Sequence, residues 1–346
     1  MELTFFQGLW FMLIFVLIAG YFVLDGFDLG SGVLYPFVAK GDTEKAVVRR
    51  SIGPVWDGNE VWLLTAGGAL FAAFPAAYAT TFSGFYLAIM LVLFGLIVRA
   101  VSLEYRGHDP KWGRLWDGCF FVGSLVPALL FGVAVGNVFA GIPMDANGDY
   151  SGFPLLGLIS PFTLLCGLLG LAMFMAQGAA WLSLKAPKPS DLQARAAKLR
   201  LPLQIAAVVL FALVSVYALA VIQPAMDPAL GIVRWLFAIL AVGGIVASIV
   251  LARRGEGSDK GAFLAQSVSA FCLVGLLAAS MFPNLVVASA GSAGPSITLM
   301  SAASSELSLM WMTIITCVGL PLVLVYHVII YRTFRGRIED DDLAHY

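Results

Sequence analysis

The stretch LWFMLIFVLIAGYFVLDGFDLGSGVLYPF, residues 9–37, decides the fold class. It opens with sixteen residues free of charge, Leu9 to Leu24, and only then meets Asp25 and Asp28. Crossing a bilayer as a helix takes about 20 apolar residues. No basic segment precedes the run, and it is too long for the core of a signal peptide, so it reads as a true membrane helix. Eight further runs of similar character follow, at roughly 58–80, 82–104, 114–137, 155–183, 202–223, 231–251, 262–283 and 306–332, the first run extending over 6–36. Within lipid every backbone polar group must be paired internally, so these runs predict an all-α, polytopic membrane bundle of about nine transmembrane helices.

The charge pattern orients it. Of the 20 Lys and Arg residues, 18 fall on alternate connections and the C-terminal tail. They are Lys40, Lys45, Arg49 and Arg50; Arg106, Lys111 and Arg114; Lys185, Lys188, Arg195, Lys198 and Arg200; Arg253, Arg254 and Lys260; and Arg332, Arg335 and Arg337. Basic loops stay in the cytoplasm. The expectation is therefore an outside N-terminus and a cytoplasmic C-terminus, in a prokaryotic cytoplasmic (inner) membrane. Arg234 is the one basic residue on the opposite side, and Arg99 lies inside an apolar run. The outer connections are acidic or neutral: IPMDANGDYSGFP at 142–154, and the loop-like VVASAGSAGPSIT at 286–298.

Composition agrees. Apolar residues are 60% of the chain and charged residues 12%, against roughly 25% charged in soluble domains. The mean hydropathy is +0.92. A net charge of −1 excludes a nucleic-acid partner, which needs a basic footprint. Cys119, Cys166, Cys272 and Cys317 are far apart, each in an apolar run, and read as buried, inert thiols. The basic connection KAPKPSDLQARAAKLR invites a short interfacial helix and is the only evident seam. A single membrane domain, 1–346, then has approximate halves 1–137 and 155–346. No internal repeat is evident.

Ionisable groups inside the membrane are expensive and mark function by default. Asp25 and Asp28 lie past the midplane, in the cytoplasmic half, and at three residues' spacing share a helix face. Two such carboxyls repel, and burial penalises their charge, which suits shared or transferred protons; equally, they could cap neighbouring helix ends. Asp57, Asn59 and Glu60 crowd the start of the second run, where Asp57 and Glu60 share a face and the helix dipole favours acids. Trp56 and Trp62 flank Asp57 as interface anchors. GGALFAAFPAA, 67–77, offers small residues for close helix packing. Arg99 needs carboxylate partners, and Asp25, Asp28, Asp57 and Glu104 project from the same half. An Arg99-centred carboxylate cluster suits inward proton movement; a static ion pair, or Arg99 reaching to the interface, is the structural alternative. His108 and His345 read as loop and tail residues. His327, alone in the last run, reads as structural rather than as a haem ligand, and Glu306 as a first-turn cap.

LDGFDLGSGVL, IGPVWDGNEVWLLTAGGALFAAFPAAYATTFSGFY, RAVSLEYR, WDG, MFPNLVVAS and SAASSELSLMWMTI resemble subunit II of the cytochrome bd-type quinol oxidases over nearly the whole chain. The resemblance implies two four-helix bundles plus one peripheral helix, paired with a similarly folded, haem-bearing subunit I. That partner would carry haem b and haem d, oxidise quinol and reduce O2 to water, with protons drawn from the cytoplasm. Subunit II would bind no haem itself and would carry a proton route through Asp28, Asp57, Arg99 and position 104, with Asp25 beside it. Here position 104 is Glu where the better-known branch has Asp. Glu60 and Asp117 are second-tier candidates. A structural quinone in this subunit and a small single-helix accessory subunit belong to the same expectation; no metal site does. A proton-coupled secondary transporter is the alternative reading, weakened by the absence of matched broken helices in two halves.

Overall fold

The computed structural model describes residues 3–254 and 257–339; His345 lies outside the described residues. Thirteen helices follow in order: α1 (Phe5–Leu24), α2 (Gly26–Val38), α3 (Gly41–Ile52), α4 (Trp56–Ala73), α5 (Pro75–Gly84), α6 (Tyr86–Tyr105), α7 (Gly113–Ala140), α8 (Pro161–Lys185), α9 (Asp191–Tyr217), α10 (Gly231–Arg253), α11 (Asp259–Met281), α12 (Leu299–Ala302) and α13 (Glu306–Thr333). One antiparallel strand pair, β1 (Asn284–Val286) and β2 (Ile297–Thr298), interrupts them before α12. The chain is a helical, multi-pass membrane protein.

Eight helical segments among the described residues are long and apolar enough to cross a membrane. They account for eight of the nine expected spans. The remaining one, 58–80, differs because Asp57, Asn59 and Glu60 make the first turn of α4 polar and because the helix stops at Phe74, ahead of Pro75. Its 18 residues still reach about 27 Å. Asn59 near its start bonds the carbonyl of Leu24, while Ala73 and Phe74 pack with Trp10, Phe11 and Ile14. α4 is thus antiparallel to α1 and spans the same depth.

The first expected helix is also broken. α1 ends at Leu24, Asp25 occupies a turn, and α2 starts at Gly26. Backbone bonds from Asp25 N to Tyr21 O (2.8 Å) and Leu29 N to Asp25 O (2.9 Å) bridge the break. The expected interfacial helix at 185–200 is absent as a separate element: α9 begins at Asp191, capped by Ser190 Oγ, and carries the basic stretch directly into the bundle. The 286–298 loop is partly ordered into the β1–β2 pair, and Ile142 bridges to Ala288.

All five basic segments meet at one end. Lys45 reaches Asp117 (2.7 Å), Arg106 reaches Asp42 (2.7 Å), Arg195 pairs with Glu44, and Arg337 reaches Asp259 (3.1 Å). At the other end Thr80 Oγ1 donates to Gly148 O (2.9 Å) and Ser304 Oγ to Ala72 O (2.6 Å). The loops thus sort by charge between the two ends, as the alternation in sequence requires.

Close helix packing is not where the sequence suggests. Gly68 has open space around it and Gly67 only a distant Phe82. This face of α4 is unburied, with Leu64 68% and Phe71 60% exposed. The tightest crossing is between α2 and α8, with further close glycine contacts between α6 and α7 and between α7 and α8. A Cβ on Gly30 would stand 1.8 Å from Phe174 O, and one on Gly178 would stand 2.4 Å from Gly30 C. Of the thiols, Cys166 and Cys272 are buried and Cys119 on α7 is half-buried, while Cys317 is exposed because α13 is peripheral and turns most of its surface outward.

Gly30→Ala should force the α2–α8 backbones apart at a cost of about 2–3 kcal/mol, read as a fall of several degrees in the thermal midpoint of the detergent-solubilised protein. Gly68→Ala should leave that midpoint unchanged.

Candidate functional site

Arg99 sits on α6, and its side chain points into the bundle, fully buried. One nitrogen, Nη2, donates to two carboxylates at once: Asp25 Oδ1 at 2.7 Å and Glu60 Oε1 at 2.6 Å. Asp25 is as buried as Arg99, while the Glu60 side chain keeps 22% exposure. Asp25, between α1 and α2, keeps helical backbone, and Asp28 follows three residues on, so both carboxyls lie on one side of the first span.

Asp28 does not touch Arg99. Its Oδ2 accepts from Asn59 Nδ2 at 2.7 Å. The second Asn59 N–H goes to Leu24 O at 3.0 Å, and Asn59 Oδ1 accepts from Tyr331 Oη at 3.1 Å. Asn59 and Tyr331 are therefore part of the site, although the sequence assigns Asn59 no role and does not point to Tyr331. Asn59 was visible only as one polar residue between two acids. Tyr331, from the last helix, carries no sequence signal at all. Gln177 on α8 is a third such group, fully buried against Gly26. A lone amide in an apolar run is the kind of signal that could have found it. Buried atoms without a protein partner gather here: Asp25 Oδ2, Asp28 Oδ1, Arg99 Nε and Nη1, and both amide atoms of Gln177.

The remaining acids separate from this cluster. Asp57 and Glu104 are exposed, each at the basic end of an outward stripe. Asp57 heads Val61, Leu64 and Phe71 on α4; Glu104 heads Phe94, Ile97 and Val101 on α6. Asp57 and Glu60 thus do not act as a pair: Glu60 turns in to Arg99 and Asp57 turns out. Asp117 is held in a charged clamp outside the cluster. Its Oδ1 accepts from Tyr35 Oη (2.7 Å) and Arg106 Nε (2.9 Å), and its Oδ2 from Lys45 Nζ (2.7 Å). Burial alone would lower the Arg106 pKa, but its bond to Asp117 outweighs that and raises it. Glu306 lies in the first turn of α13, with Ser305 as the cap.

The histidines are engaged elsewhere. His327 Nε2 accepts from Trp62 Nε1 (3.2 Å), and its Nδ1 faces Val323 O (2.9 Å). His108 Nδ1 faces Glu104 O at 3.0 Å. Separate from the cluster, a largely apolar cavity of about 730 Å³ lies among α7, α8, α9, α10 and α11. Phe139, Phe162, Phe211 and Trp235 line it, with Arg234 and Ser280 as polar groups.

The family model described as cytochrome bd terminal oxidase subunit II matches residues 6–334. The cytochrome bd-I ubiquinol oxidase subunit 2 of Escherichia coli (strain K12) is 36% identical, over 97% of this chain and 96% of that protein. The cytochrome bd ubiquinol oxidase subunit 2 of Bacillus subtilis (strain 168) is 35% identical, over 96% of this chain and 97% of that protein. In fold, the chain is similar to a chain of the bd oxidase from Geobacillus thermodenitrificans, with a TM-score of 0.75 at 17% identity, covering 96% of this chain and 99% of that one. The family match and the relatives alike run across nearly the whole length and lead to one assignment: this chain belongs to the cytochrome bd terminal oxidase subunit II family, and it is a subunit of a terminal oxidase complex.

Proposed function

We propose that this chain delivers protons from the cytoplasm to a haem-bearing subunit I, which oxidises quinol and reduces dioxygen to water. The observation that carries this reading is a charge imbalance. Three carboxyls gather around one guanidinium: Asp25 and Glu60 pair with Arg99, and Asp28 lies beside them on Asn59. A buried net charge is strongly disfavoured, so the cluster needs protons beyond the one charge that Arg99 balances. A site that must hold protons is one that can pass them. The unpaired buried atoms of Asp25, Asp28, Arg99 and Gln177 are groups that bind water, the other component of a proton relay.

Gathering of the basic segments at one end supports a cytoplasmic C-terminus and an outside N-terminus. On that orientation the cluster lies in the half of the membrane nearer the cytoplasm. Asp57 and Glu104 then head outward-facing apolar stripes on α4 and α6, and this is the face we assign to subunit I. On that assignment they continue the route from the Arg99 cluster across the subunit boundary, which is why they stay apart from it within one chain.

Haem b and haem d belong in the partner. Both ring nitrogens of His327 are already engaged by Trp62 and Val323, so this residue does not fit a haem iron. The 730 Å³ cavity fits a structural quinone better. It is large and mostly apolar, and Arg234 supplies a cation at its edge while bonding Asp227 O at 2.8 Å. A bound quinone would supply a rigid, apolar filling between α8, α9 and α11.

Asp57→Asn and Asp28→Asn should each lower quinol-driven oxygen uptake at least tenfold in an assembled complex with unchanged haem spectra; loss of assembly instead would make the charges purely structural. Arg99→Met should leave the acids uncompensated, cost roughly 3–5 kcal/mol and abolish assembly. Adding Asp25→Asn should restore part of the assembled yield, measured by haem content after purification. Filling the cavity with Ala212→Trp should lower the quinone recovered per complex on solvent extraction, with the haem spectrum intact.

A further inference from the structure

Asn59 is hydrogen-bonded on all sides, and one of its partners lies 272 positions away. Both its N–H groups are used, one on Leu24 O and one on Asp28 Oδ2. The Leu24 carbonyl can only accept, so it sets which end of the amide carries the N–H groups. The Tyr331 hydroxyl donates to Oδ1 at 3.1 Å and holds the amide in place from the other side. Ring packing holds Tyr331 itself: it stacks on His327 with centroids 6.4 Å apart and meets Trp181 edge-on at 6.2 Å.

The other side of Tyr331 lines a small cleft at the basic end of the bundle. The cleft measures about 90 Å³, space for several water molecules. Ser51, Val55 and Trp181 wall it, and the segment after α13, Phe334–Ile338, covers it. Two of its cations, Lys185 and Arg337, hold that segment in place. Lys185 Nζ donates to the carbonyls of Phe334 and Gly336, and Arg337 donates to Ser183 O (2.9 Å) and Ala186 O (2.7 Å). Arg337 also pairs with Asp259. They serve as a latch on the strap.

We propose that this cleft is where water from the cytoplasm reaches the buried carboxyls, and that Tyr331 is the positioning residue at its floor, acting through Asn59 on Asp28. The inference rests on the proton-delivery reading given above and adds the place of entry and two residues. The charged and titratable groups around the link are Asp25, Asp28, Glu60 and Arg99 on the cluster side, His327 and Tyr326 on α13, and Arg50, Lys185, Arg335 and Arg337 around the cleft.

The test uses the whole oxidase complex with Tyr331→Phe, which keeps the ring and removes only the hydroxyl. Asn59→Ala is the second variant and Asp28→Asn the control. Haem spectra, quinol-driven oxygen uptake and its solvent deuterium isotope effect are read for each. Tyr331→Phe should lower turnover roughly two- to tenfold, the factor one hydrogen bond commonly carries, and raise the isotope effect at an unchanged haem spectrum. Asn59→Ala should do the same or more. A merely structural Tyr331 would change stability without moving the isotope effect. Wild-type turnover and isotope effect in both variants, with Asp28→Asn impaired, would overturn the positioning role and leave the proton-delivery reading standing. Wild-type turnover in Asp28→Asn would overturn both.

Discussion

A guanidinium sealed inside an apolar bundle is the constraint around which the rest is arranged. Arg99 lies out of reach of bulk water, so its charge must be met by carboxylates. Asp25 and Glu60 meet it from two different helices, and three elements, α1, α4 and α6, are thereby fixed relative to one another.

The same constraint leaves an imbalance that packing does not remove. Arg99 compensates one negative charge, and the neighbouring acids bring more. Hydrogen bonds absorb part of the remainder: Asn59 supports Asp28, and Tyr331 supports Asn59. This second layer ties the peripheral α13 to the centre of the bundle. α13 is otherwise largely exposed, so its polar contact through Tyr331, with the Trp62–His327 bond one turn away, is an economical way to place a late helix against an early one.

Tight and loose packing are divided in a way that suits a subunit. The α2–α8 crossing brings backbones together at Gly30 and Gly178, and dispersion across such a close contact is what holds helices together in lipid, where apolar burial gives no net driving force. α4 and α6, by contrast, keep long apolar stripes open, each headed by an acid. The interior is thus rigid where the charged cluster needs support and unpartnered where a second protein would sit.

Much was legible from the chain alone. Apolar runs of bilayer length, the basic residues on every second connection and the isolated Arg99 dictated a helical membrane bundle, its two ends and the presence of a buried ion pair, because lipid tolerates neither unpaired backbone nor unpaired charge. Which acid answers Arg99 was not legible. Asp57 and Glu60 sit three residues apart in the same turn, and only the packing of α4 against α1 and α6 turns one inward and the other out. The roles of Asn59 and Tyr331, and the α2–α8 glycine contact in place of one at 67–77, likewise depend on contacts between residues distant in the chain. Local sequence sets which groups must be paired; tertiary packing alone decides with whom, because a few ångströms of helix rotation separate a buried partner from an exposed one.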